Sequence, residues 1–201
     1  MTSPTGIRHV FTIVVGALVG LAMPVVAQEE SPATESPPAD GTAQVAGGRL
    51  AAIFPTELGG QPWDELTVNV GQEIYAGRDP GVAEDDPITA LLEATGASID
   101  DVTGAVGSLE TEDGVFASVT AVQVVGVDAD QVWEFIFQPS MDESLMQPRE
   151  ETGQIAGKDV RILWDDAFPD AAPGHFYLSG DTVWAIIAVE PLLTEVFEKL
   201  P

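Results

Sequence analysis

The stretch Val115-Phe-Ala-Ser-Val-Thr-Ala-Val-Gln-Val-Val125 decides how this chain is built. It is rich in β-branched residues and follows the turn residues Thr111-Glu-Asp-Gly114, so it reads as a strand. With a period of two, Val115, Ala117, Val119, Ala121 and Gln123 face one way, and Phe116, Ser118, Thr120, Val122 and Val124 face the other. Neither row is strongly polar, which predicts a strand central in its sheet.

Upstream, Asp101 to Leu109 alternates weakly and reads as a further strand. Before it, Asp86-Pro87 through Gly96 carries both marks of a helix: an N-cap aspartate with proline in the first turn, and a glycine past the last. Ile88, Leu91, Leu92 and Thr95 make its apolar stripe. Ser98-Ile-Asp-Asp101 repeats the cap signal. Downstream, Lys158 to Trp164 and His175 to Leu178 read as strands. Ser179-Gly-Asp181 then turns into Thr182 to Val189, a hairpin. Pro191 to Leu200 closes the chain as a helix burying Leu192, Leu193, Val196, Phe197 and Leu200.

The two halves share a grammar. Leu58-Gly-Gly-Gln-Pro-Trp-Asp and Ile155-Ala-Gly-Lys-Asp-Val-Arg each lead into a strand, and each half later runs a hairpin into a helix. The expectation is a single α+β domain over residues 49–201. It would hold one antiparallel or mixed sheet of about six strands with helices packed on one face, and a possible internal duplication.

The N-terminal segment differs in kind. Residues 1–27 hold no acid, carry Arg8 and His9, then run apolar from Val10 and end with Val25 and Ala27. This predicts a secretory signal peptide cut before Gln28. Retained instead, the apolar run of about 18 residues would tie the chain to a membrane at the lower length limit for a span, although Pro24 would end its helix. Residues 28–48, rich in proline and acid, are too poor in apolar surface to offset the entropy of ordering, and predict a disordered spacer. The expected location is therefore secreted or in the cell envelope.

Of the 7 basic residues only Arg8 falls in the signal segment, which leaves 6 against 33 acids and a formal charge of −27. That field repels nucleic acid, whose binding relies on Lys and Arg displacing counterions. There is no cysteine, which removes disulfides, thiolate metal sites and a lipid-modified cysteine start.

Motifs for catalysis are sparse. No Gly-x-Ser-x-Gly elbow or Ser-x-x-Lys occurs, and His175 is the single histidine past the signal segment. His175 reads as an edge-strand histidine bonded to backbone, and zinc, which needs several His or Cys ligands, is excluded. Gly153-Gln-Ile-Ala-Gly157-Lys158-Asp159 imitates a phosphate loop, but it is one residue short and lacks the magnesium-holding hydroxyl. It reads as a turn into a strand.

Asp128 and Asp130 fit positions one and three of a calcium loop, but Val132 and Trp133 occupy five and six, so the loop reading fails. Asp128-x-x-Gln131 instead reads as a capping box. The helix it starts is apolar nearly all round. It is either sandwiched in the core or exposes an aromatic edge, in which case Trp133 and Phe137 would anchor an interface. The remaining metal candidate is calcium, held weakly by Asp165, Asp166 and Asp170 in Trp164-Asp-Asp-Ala-Phe-Pro-Asp170, with a solvated turn as the alternative. Adjacent acids also leave open a carboxylate-based glycan hydrolase, which would need two facing acids at a set separation.

At Leu58-Gly-Gly-Gln-Pro, Val125-Gly-Val-Asp-Ala129 and Ala156-Gly-Lys-Asp-Val160 the chain resembles uncharacterised exported acidic proteins of high-GC bacteria with a signal peptide or lipoprotein start, an acidic spacer and one such domain. The resemblance runs from about Ala51 to Leu200 and rests on turns and caps. It implies a shared fold and brings no catalytic residue. Taken together, the expectation is an exported, extracytoplasmic binding or interaction module with no recognisable catalytic apparatus. Its partner would be an extracellular protein or small ligand, with no cofactor unless calcium.

Overall fold

The structure, a computed structural model, describes residues 49–75, 86–111, 113–139, 141, 145 and 147–201; the signal segment and spacer read from the sequence lie outside them. In chain order the strands are β1 (Glu57–Leu58), β2 (Gln61–Pro62), β3 (Glu65–Val70), β4 (Val102–Glu110), β5 (Phe116–Val124), β6 (Pro148–Ile155), β7 (Lys158–Asp165), β8 (Gly174–Ser179) and β9 (Thr182–Ala188). The helices are α1 (Pro87–Thr95), α2 (Ala129–Val132) and α3 (Leu192–Lys199), with a helical turn at residues 49–53.

β5 lies inside a seven-stranded sheet of order β3-β4-β5-β9-β8-β7-β6, with every neighbouring pair antiparallel. Its two rows part as the alternation demands. Ala117, Val119 and Ala121 enter a core with Leu50, Phe54, Trp184, Ile186 and the α3 residues Leu192, Leu193, Val196 and Phe197. Val122 and Val124 enter a second core with Ile88, Leu91, Val132, Trp133, Ile136, Phe137 and Phe176. Burying each large apolar side chain contributes about 1.5–3 kcal/mol relative to exposure, so each layer of helix has a driving force of its own.

The fold is mostly β, and it corrects the expected architecture. The sheet has seven strands, β1 and β2 form a second sheet of two, and the helices are few and short. Helices cover both faces: α1 and α2 one, α3 and the turn at residues 49–53 the other. The physical reason is β5 itself, since a strand apolar on both rows needs cover on both.

The grammar common to the two halves has a structural basis in its turns. Gly59 and Gly60 join β1 to β2, and Ala156 and Gly157 join β6 to β7, all four with positive φ, as a two-residue type I′ hairpin requires. After their last strands, however, the halves diverge: α2 packs on one face of the sheet and α3 on the other.

Local ends follow the sequence closely. Asp86 accepts a 2.8 Å hydrogen bond from the Ile88 amide, and Gly96 adopts the left-handed conformation that ends α1. Ser98 and Asp101 form the reciprocal capping box. Asp128 caps α2 by accepting from the Asp130 amide at 2.9 Å. α2 then widens into a π-helical turn over Trp133–Phe137, which the periodicity did not predict. Within that turn the Trp133 and Phe137 rings stack at 6.1 Å with planes 4° apart.

Candidate functional site

β7 and β8 pair only over Arg161↔Phe176, Ile162↔His175 and Leu163↔Gly174, although β8 runs on to Ser179 and β7 begins at Lys158. Where their pairing stops, a groove of about 590 Å³ opens on the α2 face of the sheet. Phe176 and Leu178 of β8 form its apolar side. Thr152 and Gln154 of β6, Asp159 and Arg161 of β7, and Asp130 from the first turn of α2 form its polar side.

Alternation along β6 and β7 places these side chains. Thr152 pairs with Arg161 and Gln154 with Asp159, so all four project on one face. Gln154 Nε2 donates to Asp159 Oδ1 at 2.7 Å. Arg161 Nη2 donates to Asp130 Oδ1 at 3.0 Å, and its guanidinium carbon lies 5.0 Å from the centroid of the Trp133 ring. A cation over an indole face and beside a carboxylate is held in direction as well as charge. Arg161 is thus a fixed donor at the groove, with Trp133 beneath it.

The other described basic residues are also engaged. Arg49 pairs with Asp181 at 3.0 Å, Arg149 with Asp166 at 3.1 Å and with Glu151, and Lys199 with Glu195 at 2.9 Å. Lys158 sits 5.4 Å from the Tyr177 ring centroid.

The residues singled out in the sequence lie elsewhere or inside. Asp165 is buried and accepts from the Gln147 and Ala167 amides at 3.1 and 3.0 Å. Asp166 turns to Arg149, and Asp170 is exposed. The three do not gather, and among the described residues no group of three His, Cys, Asp or Glu side chains is placed to hold a metal. Trp133 and Phe137 are 2% and 0% exposed and meet Phe176 edge-on, so they are core residues and present no aromatic edge.

His175 lies on an interior strand, buried against Phe197 of α3. Burial holds its pKa below the ordinary value of 6.5, against smaller opposing pulls from the Ile186 backbone and the Glu190 charge.

No known protein family, curated protein or solved structure matches this chain.

The groove residues were missed for a plain reason. Asp130 and Arg161 are 31 positions apart, and Thr152 and Gln154 sit in a strand with no hydrophobic alternation to announce it. The one available signal was Lys158 and Arg161 standing together where bases are scarce.

Proposed function

We propose that this chain is an exported binding module that receives its ligand in the groove between α2 and the strands β6, β7 and β8. The observation that carries the reading is the joining, in one open groove, of an apolar wall, Phe176 and Leu178, to a fixed cation, Arg161, and hydrogen-bonding groups on Thr152, Gln154 and Asp159. Binding sites commonly combine apolar surface with a few directed polar groups. The acidic charge and the spacer fit a soluble domain acting outside the cytoplasm.

The groove also holds two carboxylates, Asp130 and Asp159, which is what a glycan hydrolase would ask for. Both are exposed and engaged, by Arg161 and Gln154. This pair therefore lacks the desolvated acid such chemistry needs, and binding is the reading the groove supports better. The calcium reading finds no support in the scattered Asp165, Asp166 and Asp170.

The test is a screen of short peptides and glycan fragments against the ¹⁵N-labelled protein. Ligands should shift the amides of residues 152–161 and 176–178 and lose affinity in Arg161→Ala. Ligands whose shifts cluster elsewhere, or which bind Arg161→Ala unchanged, would overturn the assignment.

A further inference from the structure

We infer that the partner is an extended polypeptide segment alternating basic and apolar residues, which adds to β6 as an eighth strand of the sheet. This goes beyond the groove reading: the free edge of β6 lies on the side away from β7, so an added strand would meet the groove only through Thr152 and Gln154. β6 ends the sheet: it pairs with β7 over eight residue pairs and, among the described residues, with nothing on its other side. Six of its eight residues are exposed and the other two half-buried. An uncovered strand edge presents a row of outward N–H and C=O groups, the template on which strand addition works.

The two faces of β6 specify what would sit beside it. On the groove face lie Glu150, Thr152 and Gln154, followed on β7 by Asp159 and Arg161, with Asp130 beyond. That side has three carboxylates and one guanidinium, which is already paired to Asp130. On the opposite face Gly153 carries no side chain, and the position its Cβ would take is 3.2 Å from Ile162 Cδ1 and 3.9 Å from Val160 Cγ2. Ile155 follows on the same face. A neighbouring strand would set one row of side chains against Glu150, Thr152 and Gln154, and the other against the Arg149–Glu151 pair and the apolar gap at Gly153. Lys or Arg suits the place opposite Glu150 in the first row, and Val or Ile the gap at Gly153 in the second. Glu150 and Glu151 also disfavour a second copy of this acidic chain on the same edge, because like charges placed opposite each other repel.

The experiment titrates the purified protein with acetyl-Lys-Val-Lys-Thr-Lys-Val-Lys-amide, a shuffled peptide of the same composition, and the version with Glu for each Lys. Amide shifts and hydrogen-exchange protection are followed in wild type, Glu150→Lys and Glu198→Lys. The expected result is binding of the alternating peptide, at least tenfold weaker for the shuffled one, with new protection at amides of residues 149–155. Glu150→Lys should weaken it at least tenfold, and Glu198→Lys, on α3, less than twofold.

Equal weakening by both variants would mean diffuse charge attraction and overturn the inference. A β6-protected dimer that excludes the peptide would make the occupant a second copy and overturn it too. Binding that shifts residues 159–161 and 176–178 without protecting β6 would refute strand addition while leaving the groove reading standing. Any peptide binding with no shift at either place would count against both.

Discussion

Gly107 on β4 packs directly against the first core, and substituting it tests the packing of the segment that precedes the sheet. A Cβ at this position would lie 2.9 Å from Phe54 Cε1, 2.9 Å from Trp63 Cδ2 and 3.0 Å from Trp63 Cε3. Neither ring has room to retreat. Phe54 lies between Trp63 and Trp184, with ring centroids 5.7 and 5.8 Å away, and Trp63 is anchored by its indole N–H donating to the Pro55 carbonyl.

Overpacking of this kind costs about 1–3 kcal/mol, offset by about 0.4–1 kcal/mol from the stiffer unfolded chain. Gly107→Ala should therefore destabilise by about 0–2.6 kcal/mol, and the midpoint of about 1.3 kcal/mol lowers Tm by roughly 3–5 °C for a chain of this size. Urea melts should show a lower midpoint with an unchanged m value. Gly153→Ala is the control: its Cβ meets the flexible end of Ile162 at 3.2 Å, and it should cost less than about 0.5 kcal/mol. Equal effects from the two substitutions would refute the claim that Phe54 and Trp63 are locked against β4.

His175→Gln tests the buried imidazole. With its pKa below 6.5 in the folded state, the unfolded chain binds the proton more readily, so stability falls as pH drops below the ordinary histidine value. The slope is at most about 1.4 kcal/mol per pH unit and levels off beneath the folded pKa. Denaturant melts from pH 7.5 to 5 should show that loss in wild type and a flatter profile in His175→Gln. Arg161→Ala removes a partly exposed ion pair and a cation–π contact, about 1 kcal/mol together, so thermal scans should show a small change while groove ligands are lost. Calcium and magnesium at equal ionic strength should move Tm equally. A calcium-specific shift on the order of 5–10 °C, as about 2.7 kcal/mol from a saturated site would produce, would restore the metal reading.

Elements with marks at both ends are legible in the sequence. α1 stands between Asp86-Pro87 and Gly96, and α3 buries Leu192, Leu193, Val196 and Phe197 of its expected stripe, with Leu200 buried just past its end. β6 was not legible, because Pro148-Arg-Glu-Glu-Thr-Gly-Gln-Ile155 has no apolar alternation; both its faces meet water, and the hairpin turn and β7 hold it in place. The π turn at Trp133 was hidden because five apolar or aromatic residues in six positions satisfy several helical periods. Capping at Asp128 could be read from neighbours in sequence, whereas the Asp130 to Arg161 pair depends on how α2 crosses the sheet.

The step from β5 to the groove is one of coverage. A strand apolar on both rows forces two layers of cover, and the chain meets that demand over β4, β5 and β9, where α1, α2 and α3 bury Val102, Val124, Val183, Ala117 and Ile186. Toward β6 the demand lapses, because its side chains are polar on the groove face and interrupted by Gly153 on the other. The cover stops where the apolar rows stop. Among the described residues nothing pairs with the outer edge of β6, and that edge, on the side away from β7, is where a further strand would bury backbone left exposed.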